Sequence, residues 1–176
     1  MTYPSFSAGE VLRAQDMNAV GLWLVKSQTV GTGVSSVTVT GAFSADYDNY
    51  LIQWSGGTQS VDTNLNLQLG SATSNYYSSL IFGSFLGGAP TNSSQNNSAI
   101  WVAAGGGNPT VAKVSCSVFD PFLTRPSHLQ AFVRYSTVYG STVGYQGDST
   151  SFTAFTFIPG SGTMSGGTIR VYGYKN

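Results

Sequence analysis

The sequence predicts an all-β protein, an antiparallel β-sandwich of the jelly-roll type with about ten strands, carrying a short helical segment at its N-terminus. Three observations predict it. Apolar and polar residues alternate with a period of two through most of the chain, turn-forming Gly, Pro, Asn and Asp recur roughly every ten residues, and no long helical pattern separates the strands. Repeated βαβ units are excluded, because each would need a crossover of about a dozen residues or more.

Residues 1–21 differ in character from the rest of the chain. Ser7-Ala-Gly-Glu10 matches the Ser-x-x-Glu capping box, and the residues from Glu10 to Val20 tolerate a helix well. A short helix is therefore predicted between Glu10 and Val20. Its apolar residues Val11, Leu12, Met17 and Val20 form no single stripe, so the segment suits docking on another partner better than folding back on one sheet. The division read from the chain is an anchoring segment over 1–21 and a β-module over 22–176.

Within the module, Trp23 to Thr29 reads as the first strand. Ser35 to Phe43 and Tyr50 to Trp54 read as two strands joined by a polar corner, Ser44 to Asn49, and Gly56-Gly57 closes the second. Asn64 to Leu69 alternates cleanly, with Leu65, Leu67 and Leu69 inward and Asn64, Asn66 and Gln68 outward. A strand through Tyr76 to Phe82 is expected to enter a long exposed loop over residues 83–98, a length more typical of contact loops. Ile100 to Ala103 precedes a predicted breaker at Gly105-Gly106-Gly107. Thr110 to Phe119 places Ala112, Val114, Cys116 and Val118 on one face. Strands over His128 to Tyr139, Ser141 to Gln146, Ser151 to Ile158 and Thr168 to Tyr174 complete the module, with a hairpin turn predicted at Gly166-Gly167.

Charge narrows the function. Charged residues make up 8% of the chain, and seven basic residues balance seven acidic ones. No Lys/Arg run supplies the field that draws in a phosphate backbone, so nucleic acid is not an expected partner. A sheet-rich surface with so little charge is expected to hide its edges by closure or oligomerisation. The first residues show no signal peptide, and nowhere do eighteen apolar residues run together, so no membrane insertion is expected. Cys116 is the only cysteine. It excludes an internal disulfide and a Cys-based zinc site, and its position on a strand face reads as core.

The search for chemistry yields no catalytic constellation. His128, the only histidine, follows Ser127 in a strand, which sends the two side chains to opposite faces. Asp46, Asp48, Asp62, Asp120 and Asp148 fall in predicted turns or connections, so no pair is expected to share a cleft. No cofactor or metal is expected. The aromatics are more suggestive: Tyr76, Tyr77, Trp101, Tyr135, Tyr139 and Tyr145 are candidates for glycan or subunit contact.

Phe6-Ser-Ala-Gly-Glu-Val-Leu-Arg-Ala-Gln-Asp-Met-Asn18 resembles the Phe-x-Ala-Gly-x-Val-Leu-Thr-Ala-x-x-Met/Leu-Asn segment near the start of many bacteriophage tail and fibre proteins, with Arg13 where that segment carries Thr. Val37 to Trp54 and Gly162 to Lys175 are similar to the first and last strands of small phage β-modules. The resemblance implies a virion structural protein: a jelly-roll knob, commonly a homotrimer, joined to other virion proteins through Phe6, Val11, Leu12, Met17 and Val20. The expected role is a tail fibre or appendage that aids adsorption to host-surface polysaccharide. A capsid decoration or head-fibre protein is the alternative, and a carbohydrate-active enzyme on a β scaffold the more distant one. Residues 1–21 span at most about 70 Å extended and about 30 Å as a helix, so the chain is no long fibre by itself.

Overall fold

In a computed structural model, which describes residues 21–174, every regular element is a β-strand. The thirteen strands are β1 (Leu22–Thr29), β2 (Val37–Val39), β3 (Asn49–Gln59), β4 (Thr63–Leu69), β5 (Tyr76–Ser84), β6 (Thr91–Ser98) and β7 (Trp101–Gly107), followed by β8 (Ala112–Phe119), β9 (Ser127–Tyr135), β10 (Val138–Gln146), β11 (Phe155–Pro159), β12 (Met164–Ser165) and β13 (Thr168–Tyr174). The helix predicted between Glu10 and Val20, and the anchor residues Phe6, Val11, Leu12, Met17 and Val20, lie outside the described residues.

Two antiparallel layers face each other. The larger has the spatial order β6-β5-β10-β9-β8-β3-β13-β1, and the smaller the order β2-β11-β4-β7. Pairing of Gly106 and Gly107 in β7 with Lys113 and Ala112 in β8 joins the two along one side. Period-two alternation fills the space between them. Tyr50, Ile52 and Trp54 of β3, Val114, Cys116 and Val118 of β8, and Ile169 and Val171 of β13 face Leu65, Leu67, Leu69, Phe155 and Phe157 of the smaller sheet, and all are buried. The antiparallel sandwich agrees with the sequence prediction.

The strands predicted around the polar corner belong to different sheets: β2 pairs with β11, and β3 with β8 and β13. The corner is braced by Tyr50, whose hydroxyl donates to the Ser44 carbonyl at 2.9 Å and accepts from the Ser44 amide at 2.8 Å.

Several boundaries differ from the sequence prediction, each for a tertiary reason. The predicted loop over 83–98 is largely strand, because Thr91–Ser98 pairs with β5 as β6. The predicted strand from His128 to Tyr139 is two strands, β9 and β10, turning at Ser136, which has a positive φ of 49°. Gly105-Gly106-Gly107 does not break the chain but lies in β7, and Gly56-Gly57 does not close β3 but lies within it. Gly166-Gly167 is not a hairpin turn: β12 before it and β13 after it both pair with β3, so the two glycine pairs face each other across one kinked ladder. Asn66, expected to be solvent-facing, is buried on the side of β4 opposite Leu65 and Leu67. Its Oδ1 accepts from the Ala103 amide at 3.2 Å and from Asn64 at 2.6 Å, where the β4–β7 register shifts.

Gln59 is fully buried, and neither its amide nitrogen nor its oxygen has a hydrogen-bond partner among the described residues. A buried amide left unpaired costs about 1–3 kcal/mol. Gln59→Met keeps the shape and removes both polar atoms. Its urea midpoint is expected to be unchanged or higher, equivalent to a gain of about 1 kcal/mol; a clear loss would mean that the amide is satisfied.

Candidate functional site

The outward face of the larger sheet is where the aromatics collect. In β10, Thr142 and Gln146 point inward, so Tyr139, Val143 and Tyr145 point outward. Antiparallel register then sets their neighbours: Tyr145 stands directly opposite Tyr77 of β5 on one side and His128 of β9 on the other, and His128 stands opposite Phe119 of β8. Cross-strand partners of this kind have Cβ atoms about 5 Å apart, close enough for rings to meet. The Tyr77 and Tyr145 rings are stacked, with centroids 4.7 Å apart and planes at 13°, and the His128 ring lies 6.3 Å from Tyr145.

A second aromatic group lies six residues away along β10, about 20 Å at the usual strand rise. There Tyr139 stacks on Phe85 with centroids 4.6 Å apart. Phe132 on β9 and Ile81 on β5, which both pair with Ser141, are 72% and 61% exposed. Side chains this large standing in water make this face a candidate contact surface. Beside them, β3, β8 and β9 form a groove of about 410 Å³ lined by Gln53, Ser55, Lys113, Ser115, Phe132 and Arg134 among others.

Of the candidates from sequence, Tyr77, Tyr139 and Tyr145 come together on this face, and Tyr135 is half-buried at the end of β9. Tyr76 and Trp101 do not belong to a surface site. Both are fully buried, edge to face at 5.3 Å, and the Tyr76 hydroxyl accepts from the Leu69 amide at 2.7 Å. Sequence reasoning missed Phe132, Phe85, Lys113 and Arg134. Lys113 and Arg134 were findable as charges on the outward side of alternating strands.

The carboxylates considered for catalysis are occupied locally. Asp120 pairs with Arg125 at 2.6 Å, Asp148 accepts from Asn75 and Gln146, Asp62 accepts from the Ser136 amide, and Asp46 from the Ser44 hydroxyl. Among the described residues no helix is long and apolar enough to cross a membrane.

Burial tunes the inner groups. It pushes the Cys116 thiol and the Tyr76 hydroxyl up to about 12 each, the latter against the opposing pull of its Leu69 hydrogen bond, and raises Tyr50 as well. In the unfolded chain these groups lose their protons from about pH 9 upward while the folded chain still holds them. Unfolding then releases protons, and stability is expected to fall as pH rises from about 9 towards 12. Urea midpoints measured across that range check it, and Cys116 should resist a thiol reagent at pH 8 until the chain is unfolded.

Fold and face together define an antiparallel β-sandwich with an exposed aromatic sheet surface. No family model matches the chain, and no curated protein matches it. Among solved structures it is similar to the galectin LEC-6 of Caenorhabditis elegans, at 9% identity over 81% of this chain and 94% of the galectin, with a TM-score of 0.38. It is also similar to a structure described as CBM4, at 11% identity over 80% and 82% of the two chains with a TM-score of 0.23. The tripod of the bacteriophage Tuc2009 baseplate matches at 9% identity over 100% and 75%, with a TM-score of 0.26.

Proposed function

We propose that the chain is a structural component of a bacteriophage virion, a small jelly-roll knob that docks on the particle through residues 1–21 and adsorbs to host-surface polysaccharide. The observation that carries the adsorption role is the outward face of the larger sheet, where Phe85, Phe132, Tyr139 and Tyr145 are exposed and Tyr145 stacks on the half-buried Tyr77. Aromatic rings offer apolar faces to sugar rings, and the neighbouring Ser and Gln side chains suit hydroxyl groups. The virion assignment rests on the resemblance of Phe6 to Asn18 to tail and fibre proteins.

The knob works without catalysis and as a homotrimer. Supporting the first is the use of the carboxylates in turns and local hydrogen bonds; supporting association between copies, the low charge and the edge strands β1 and β6, unpaired on their outer sides among the described residues, with three copies taken from the resemblance to phage β-modules. Host-cell binding by the purified protein, competed by surface polysaccharide, tests the reading. Binding without competition would reject polysaccharide as the receptor, and no binding would favour capsid decoration.

A further inference from the structure

The groove between β3, β8 and β9 carries a charge pattern that a neutral sugar would not use. Lys113 and Arg134 line it and also line the adjoining hollow of about 490 Å³ over Gly106 and Gly107. Arg170 stands beside it in register, on β13 opposite Gln53, and donates to the Ser55 hydroxyl at 3.3 Å. None of the three cations has a carboxylate within 4 Å among the described residues, where Arg125–Asp120 is the ion pair formed. Asp62, anchored next to this end of β9, is held by the Ser136 amide.

Gly106, in the wall of the hollow, also sets how closely β7 approaches β9. A Cβ on Gly106 would lie 2.6 Å from the Arg134 carbonyl oxygen, so β7 can pass the end of β9 only without a side chain there. Arg134 in turn pairs directly with Tyr139, which puts the cationic groove against the Tyr139–Phe85 stack. Three cations without a carboxylate partner among the described residues thus gather beside exposed aromatics and hydroxyl-bonding Ser and Gln side chains, in a chain where charge is scarce.

We infer that this groove binds the acidic units of an anionic polysaccharide, with Lys113, Arg134 and Arg170 meeting the anionic groups while Phe132 and Tyr139 pack against the sugar rings. This rests on the adsorption reading and adds the ligand class to it. Charge complementarity with a planar carboxylate favours arginine, whose fork donates two parallel hydrogen bonds. A phosphodiester presents the same acceptor chemistry.

The test presents the full-length protein with oligosaccharides bearing uronic or sialic acid, their carboxyl-reduced counterparts, glycerol-phosphate oligomers and single-stranded DNA, with affinity measured at low and high salt. The acidic oligosaccharides are expected to bind, to weaken about tenfold on carboxyl reduction or in the Lys113→Gln/Arg134→Gln variant, and to weaken with salt. Preference for the glycerol-phosphate oligomers, with the same loss in the variant, would retain the anion site and identify its source as phosphate. Equal binding of reduced and acidic sugars overturns this inference and leaves adsorption standing. Tighter binding of DNA than of any saccharide overturns it in favour of nucleic acid, and absence of all binding, including to host cells, overturns both.

Discussion

Replacing Trp54 with alanine is expected to lower the unfolding free energy by about 3–5 kcal/mol. Typical domains hold only about 5–15 kcal/mol in total, so the variant should be partly unfolded on mild heating. The size of the effect follows from where the ring sits. Trp54 is fully buried in β3, between Ile169 of β13 and Val114 of β8. Its indole nitrogen donates to the Gly166 carbonyl oxygen at 3.1 Å. The same ring fills the kink where Gly56-Gly57 faces Gly166-Gly167: a Cβ on Gly57 would lie 2.5 Å both from the ring and from that carbonyl. Alanine would therefore leave a cavity, an unpaired carbonyl and an unsupported kink together. Trp54→Phe, which loses the hydrogen bond but keeps most of the ring, should cost about 1–2 kcal/mol. Equilibrium urea unfolding measures both; a loss below about 1 kcal/mol for the alanine variant would show that the kink does not depend on the ring.

That kink also shows where sequence reading stops. The alternation of Leu65, Leu67 and Leu69, or of Ala112, Val114, Cys116 and Val118, is a local pattern and predicts the buried face correctly. Gly56-Gly57, Gly105 to Gly107 and Gly166-Gly167 read as breaks because glycine usually punctuates strands. Here they permit close approach between segments far apart in the chain, such as Gly57 to the Gly166 carbonyl and Gly106 to the Arg134 carbonyl. Nothing within a short window reveals such a neighbour. The strand β6 was hidden for a different reason: its eight residues, Thr-Asn-Ser-Ser-Gln-Asn-Asn-Ser, bury no face and show no period, and only pairing with β5 makes them a strand.

The candidate site was legible in kind but not in membership. Tyr76 and Tyr77 are adjacent, so a strand must send one inward and one outward, and residue type does not decide which. Register does: Tyr77 faces Tyr145 on the outer surface, while Tyr76 turns in to meet Trp101 and the Leu69 backbone. The cationic groove depends on adjacency of a third kind, since Lys113, Arg134 and Arg170 lie on three strands distant in sequence and gather only when β8, β9, β3 and β13 assemble.

The stacked pair Tyr77 and Tyr145 should add a second contact to the host surface beside the cationic groove. Tyr145 is 42% exposed, and in the sheet it stands between Tyr77 and His128. Removing an aromatic anchor from a binding surface costs about 2 kcal/mol or more, roughly thirtyfold in affinity. Tyr145→Ala is expected to weaken adsorption of the purified protein to host cells by about that factor, and Tyr77→Ala/Tyr145→Ala to weaken it further, leaving the binding carried by the groove beside Phe132 and Tyr139. The unfolding midpoint should change little, because the stack itself contributes only about 0.5–1.5 kcal/mol and lies outside the core. Sedimentation of the same variants separates the two uses of such a face. Weaker adsorption with oligomeric state unchanged assigns the stack to the receptor, whereas dissociation of the assembly would assign it to the contact between copies and reject it as a glycan platform. A double variant that adsorbs like the unaltered protein would remove this end of the sheet from the binding surface and leave the Phe132 and Tyr139 end to carry it.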